Sequence, residues 1–132
     1  MHKNISLGIR FLIAIILIQT LRYKFTAHPD SVYIFTKVGL EPFGRIGIGV
    51  LELIAAILIL VPKTIWVGAV LTTGIISGAV FMHLTILGIE INEDQGKLFY
   101  MALSVLILSL IICWNQRKKI PFIKNYHTQK QL

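Results

Sequence analysis

The sequence predicts an all-α integral membrane protein, a four-helix up-down bundle with a short extracytoplasmic interfacial helix between the first and second spans. Three observations support this class. Of the residues, 55% are hydrophobic, and the charged residues lie mainly outside four long apolar runs. Each run is close to the roughly 20 residues that a helix needs to cross a bilayer. Because the runs are apolar on every side, helices of a soluble bundle are excluded.

The first span is predicted from about Ile5 to Phe25. Arg10 lies near its start and can extend its stem towards the lipid head groups. No small-residue cleavage motif follows Ile18, so we expect an uncleaved span that also serves as the insertion signal.

Residues 26–41 form the longest connection. His28-Pro29-Asp30 resembles a helix start, with Asp30 as the candidate N-cap, and Gly39 is a suitable stop. A short helix is therefore predicted over Ser31–Val38, lying in the interface over the mouth of the bundle. An extended loop is the alternative.

The second span is predicted from Gly44 to Val61 and the third from about Ile65 to Leu87, with a tight turn at residues 62–64. The third span contains the spacing Gly74-x-x-x-Gly78, which favours close packing of helices in membranes. We therefore expect both glycines to lie at a helix–helix contact.

The fourth span is predicted from Leu98 to Trp114, after an acidic connection over residues 88–97. The sequence thus divides into a four-span domain, residues 1–114, and a basic tail, residues 115–132, whose end we expect to be poorly ordered. Cys113 is the single cysteine, so no intrachain disulfide can form.

The formal net charge is +7, but the basic residues cluster beside the spans and do not favour binding of nucleic acid. The side of the membrane that holds both termini carries seven of them: Lys3, Lys63, Arg117, Lys118, Lys119, Lys124 and Lys130. The other side carries fewer basic residues and most of the acidic ones. The positive-inside rule then predicts cytoplasmic termini.

Glu52 lies near the middle of the second span, where a charge is costly unless it faces protein or water. His83 is the only histidine in a span. Counting at about 1.5 Å per residue places Glu52 close to the midplane and His83 nearer the outer face. Because side chains lean towards the start of their helix, the two side chains on antiparallel helices converge in the outer half. We predict that Glu52, His83 and Gln19 line one cavity, with Arg45 and Arg22 nearer its mouth. Because we expect its neighbouring cations about two turns away, Glu52 is predicted to be neutral or hydrogen-bonded.

The alternatives for these residues are structural. Glu52 would then be a packing residue, His83 would bind a backbone carbonyl or a threonine, and Arg45 would anchor the chain at the interface.

Three segments together resemble the DoxX-like group of small bacterial membrane proteins. They are Arg22-Tyr23-Lys24-Phe25, the pattern Glu41-Pro42-x-Gly44-Arg45-Ile46-x-Ile48-Gly49-x-x-Glu52, and Ser77-Gly78-Ala79-x-x-x-His83-Leu84-x-x-Leu87-Gly88. The resemblance runs from about Arg10 to Cys113. It implies a multi-pass protein of the bacterial inner membrane, in a family named after a subunit of a thiosulfate:quinone oxidoreductase.

The resemblance and the polar residues favour an accessory subunit of a membrane redox system, with an intramembrane pocket for a quinone or similar lipophilic ligand. A transport or permeation protein for protons or small solutes is the alternative, as is a non-catalytic scaffold. The sequence contains no haem or metal motif. The candidate partners are the bilayer, a membrane redox protein and further copies of this chain.

Overall fold

The computed structural model describes residues 2–121, and its architecture confirms the predicted all-α four-helix membrane bundle. The bundle helices are α1 (Lys3–Phe25), α3 (Phe43–Leu60), α4 (Ile65–Met82) and α5 (Lys97–Asn115). Helix α2 (Pro29–Lys37) lies between α1 and α3, a 3-10 helix (Pro62–Thr64) links α3 to α4, and a π-helix (His83–Leu87) extends α4. Most of the predicted basic tail, and its predicted disorder, lies outside the described residues.

Four segments in the described part of the chain are long and apolar enough to cross a membrane. They are Lys3–Phe25, Phe43–Leu60, Pro62–Leu87 and Lys97–Asn115. These segments agree with the four predicted spans to within about three residues, since the helix bounds follow the change in hydropathy along the chain.

Contacts between the helices show that neighbours in the bundle run antiparallel. On α1, Arg10 contacts Ile59 and Lys24 contacts Glu52. On α4, Thr73 contacts Ser109 of α5. We call the end of the bundle that carries α2 the α2 end, and the opposite end, with the Pro62–Thr64 turn, the turn end.

The turn end is closely packed around Gly68. A Cβ atom at Gly68 would lie 2.4 Å from the backbone nitrogen of Ile59, so α3 and α4 meet there at their backbones. The prediction that Gly74 and Gly78 lie at a helix contact is wrong for this bundle. Both glycines are exposed, and a Cβ atom added to either would have no neighbouring atom within 4 Å, because the buried face of α4 runs through Gly68, Thr72 and Ile76 instead.

Arg10 is buried and does not extend towards head groups, which corrects the expectation for it. It is 7% exposed, and its guanidinium donates a hydrogen bond to the Ile59 carbonyl at 3.2 Å. Ile59 lies in the last turn of α3, where carbonyl groups lack partners within the helix and the helix dipole favours a cation. Arg10 therefore caps α3 from a neighbouring helix.

The predicted interfacial segment is helical, as expected, and Gly39 follows its end in a left-handed conformation (φ +79°). Its N-cap is His28 and not Asp30, since the His28 Nδ1 accepts the backbone N–H of Asp30 at 3.1 Å. The Asp30 carboxylate instead accepts a hydrogen bond from the Asn92 side chain at 3.0 Å. This bond ties α2 to the connection between α4 and α5.

Candidate functional site

A cavity of about 260 Å³ lies at the α2 end, bounded by all five helices and by the π-helix. An apolar protein cavity of about 150 Å³ is enough to hold benzene, so this one has room for a larger ring system. Its lining is mostly aliphatic. The polar side chains that line it are Thr20, Tyr23, Lys24, Ser31, Glu52 and His83.

Glu52 projects from the middle of α3 and is 4% exposed. The Lys24 Nζ lies 3.1 Å from its Oε2 atom, and the Thr20 hydroxyl lies 3.4 Å from the same oxygen. The protein therefore holds this carboxylate oxygen with two side chains of α1. The expectation that cations lie two turns away is wrong for Lys24, whose long side chain reaches Glu52.

His83 begins the π-helix at the far end of α4 and is 5% exposed. Its Nδ1 lies 2.9 Å from the Gly88 carbonyl, and since a carbonyl can only accept, Nδ1 carries the proton. The Phe99 ring packs edge-on against the imidazole at 5.5 Å between centroids. In the neutral ring, Nε2 is then an acceptor, and it has no hydrogen-bond partner in the described part of the chain.

The connection beside His83 is organised by Asp94. Its carboxylate accepts backbone N–H groups from Ile91, Gly96 and Leu98, at 3.0, 2.8 and 3.2 Å. Burial alone would raise the pKa of Asp94, but these backbone hydrogen bonds lower it below its ordinary value. The acid thus fixes the turn into α5, and α5 supplies one wall of the cavity.

Of the five residues predicted for the site, Glu52 and His83 line the cavity. Gln19 and Arg22 are exposed and do not line it. The prediction that Gln19 lines one cavity with Glu52 and His83 is therefore wrong. Arg45 is 7% exposed, but it binds the Glu41 carboxylate at 2.8 Å and the Lys24 backbone carbonyl. Arg45 thereby joins α3 to the end of α1. The ligand-binding roles assigned to these residues stay predictions.

Sequence reasoning missed Thr20 and Lys24, each close to a residue that it chose. One signal could have found Lys24. Arg10 and Lys24 are fourteen residues apart, which is nearly four helical turns, so the two cations of α1 that contact α3 lie close to one face. Ala14 and Leu17 lie between them and are both buried.

No significant match was found among curated proteins or among solved structures. The model of the DoxX-like family matches residues 9–112. This range includes most of the four spans, the whole of α2 and every residue that lines the cavity. The chain is a membrane protein that belongs to the DoxX-like family.

Proposed function

We propose that the protein binds a quinone-like lipophilic molecule in this cavity, as an accessory subunit of a membrane redox system. One observation carries the proposal: Glu52 and His83, both almost fully buried, line the same mostly apolar space, and the His83 Nε2 has no hydrogen-bond partner among residues 2–121. Buried polar groups are nearly always paired, and ionisable groups inside a membrane favour a functional role.

The lining has the chemistry that such a ligand requires. A quinone has carbonyl oxygens that accept hydrogen bonds, and the Lys24 ammonium can donate one. The reduced form has hydroxyl groups that donate, and the Glu52 carboxylate and the His83 Nε2 can accept them. The aliphatic remainder of the lining suits an apolar ring.

The proposed location is the bacterial inner membrane, with both termini in the cytoplasm. The seven basic residues on the side of the termini support this orientation. Reporter fusions at Leu132 and within residues 90–97 test it. A reporter signal that places the tail outside the cytoplasm contradicts it.

Binding can be followed with menadione, a naphthoquinone that lacks an isoprenoid tail, on the full chain in lipid nanodiscs. The chain has three methionines, and Met82 and Met101 line the cavity. Their ¹³C-labelled methyl resonances should shift on addition of menadione, while Met1 serves as an internal reference. Unshifted resonances of Met82 and Met101 would contradict the proposal.

Glu52→Gln should keep the fold and abolish the Met101 shift caused by menadiol, the reduced form of menadione, since the charged acceptor for its hydroxyl groups is lost. Gln19→Leu is the matched control, because Gln19 is exposed and lies outside the lining. If Glu52→Gln binds normally and Glu52→Leu is tolerated, the protein is a scaffold whose polar groups only hold the bundle together. Purification from native membrane, followed by identification of the bound proteins, tests the redox partner.

Proton or small-solute permeation is the second candidate, since polar groups continue from the cavity towards the turn end. Thr72 is fully buried, with its hydroxyl unpaired among the described residues, and the Thr73 hydroxyl donates to Ser109 at 3.1 Å. Proteoliposomes with a pH-sensitive dye inside test this function. Thr72→Val should slow proton flux if the path exists.

A further inference from the structure

Helices α3 and α4 are in backbone contact at the turn end, whereas a gap lies beside Gly78 towards the α2 end. Gly68 lies opposite Ile59 at backbone contact. In an antiparallel pair, ten residues further along α4 correspond to ten fewer on α3, so Gly78 lies at the level of Gly49 and Ile48. At that level nothing lies within 4 Å of the Cβ position of Gly78. Gly68 and Gly78 are thus about 15 Å apart along α4.

This gap leads into the cavity. Among the described residues that line the cavity, Gly78 and Leu40 are exposed on the surface. Ile48 and Met82 also line it and are half-buried. The cavity therefore reaches the surface of the bundle at its exposed lining residues, Gly78 and Leu40.

The opening lies at the depth of the lipid tails. Gly78 follows the start of α4 by thirteen residues and precedes the end of the π-helix by nine, so it is about 20 Å and 13 Å from the two ends. The hydrocarbon core is about 30 Å thick. A molecule dissolved in the bilayer can thus meet the opening without passing through water.

We propose that Gly78 forms a lateral entrance, through which an apolar ring molecule moves from the bilayer into the cavity, and that its missing side chain sets the width of this entrance. This inference rests on the proposed ligand cavity. Beyond the entrance the molecule meets the side chains of Glu52 and His83, which line the cavity and are 4% and 5% exposed. These polar side chains distinguish the opening from a mere gap between helices.

The chain offers a matched pair of variants for the test. Gly74 and Gly78 are both exposed on α4, one turn apart, and both have open space for a Cβ atom. Of these two glycines, only Gly78 lines the cavity. Gly78→Leu and Gly74→Leu therefore add the same side chain to the same helix, and thermal unfolding in detergent should show similar stability for both.

The readout is the exchange rate of menadione in nanodiscs, obtained from the Met101 methyl line shape. We expect Gly78→Leu to slow uptake by at least about tenfold, the scale of one misplaced side chain in an apolar pocket, and Gly74→Leu to match wild type. Unchanged uptake in Gly78→Leu, or equal slowing in both variants, overturns the lateral entrance but leaves the ligand cavity intact. Absence of a Met101 shift in the wild type overturns both proposals.

Discussion

Two glycines of α4 have opposite surroundings at the two ends of the bundle. At the turn end, Gly68 allows the backbones of α3 and α4 to touch. At the α2 end, Gly78 faces open space and lines a cavity. The comparison teaches that a small residue in a membrane helix indicates close packing only where a neighbouring helix actually lies. The backbone contact of α3 and α4 thus lies at the turn end, and the proposed ligand cavity lies at the α2 end.

The largest effect is expected at Gly68. Gly68→Leu should lower the free energy of unfolding by about 3 kcal/mol, because overpacking forces a backbone contact apart. Gly74→Leu is the control and should change it little. Unfolding in mixed micelles measures both variants. Similar stabilities for the two would show that the turn end is not held by this contact.

The next largest loss of stability is expected on breaking the ion pair of Lys24 and Glu52 at the α2 end. Lys24→Met should cost about 2 kcal/mol, because it leaves the buried Glu52 carboxylate without its charged partner. The double variant Lys24→Met, Glu52→Leu should lose less than the sum of the single losses, by about 1 kcal/mol. Strictly additive losses in the same assay would mean that the pair contributes no coupling energy.

Arg10 is the cation of α1 that contacts α3 at the turn end, as Lys24 is at the α2 end. Arg10→Met should lower the free energy of unfolding by about 1.5 kcal/mol, because the Ile59 carbonyl loses a charged donor. Arg10→Lys should recover part of the loss, since an ammonium can still reach the end of α3. A more stable Arg10→Met variant would indicate that desolvation of the guanidinium outweighs its hydrogen bond.

The smallest effect is expected at Asp94 and should depend on pH. Asp94→Ala should cost about 1 kcal/mol at neutral pH, since three backbone N–H groups lose their acceptor. The pKa of Asp94 is lowered in the folded protein, so its contribution is fully present above the unfolded value near 3.9 and is lost as pH falls through the lower folded value. Thermal midpoints of the wild type and Asp94→Ala should therefore converge in acid. A constant difference at every pH would contradict this.

The level of a residue along the bundle could be predicted from the sequence, whereas the face of the helix on which it lies could not. Residue counting together with the lean of the side chains placed Glu52 and His83 at a common level, because the rise of a helix and the direction of its side chains are fixed. On α1 the same argument selected Gln19 and Arg22, but the cavity is lined by Thr20 and Lys24. One residue rotates a helix face by about 100°, and a span that is apolar all round carries no pattern to reveal which face is buried.

The spacing from Arg10 could have placed Lys24 on the face of α1 that meets α3, but it could not predict the pairing with Glu52, because the length and flexibility of the lysine side chain decide that contact. Nor could the sequence separate Gly68 from Gly78, since both lie in apolar surroundings. In each case the missing information was the position of a neighbouring helix. Helix bounds, by contrast, depend on the local change in hydropathy and were predicted closely.

The pairing of Lys24 with Glu52 has a consequence for biogenesis. A ribosome releases α1 before α3, so the lysine at the end of α1 enters the membrane region while its carboxylate partner is still being synthesised. Neither charge is neutralised until the chain has grown by twenty-eight residues beyond Lys24. The ion pair therefore favours insertion of α1, α2 and α3 as one hairpin, and a chain halted before Glu52 should leave α1 poorly retained by the insertion machinery.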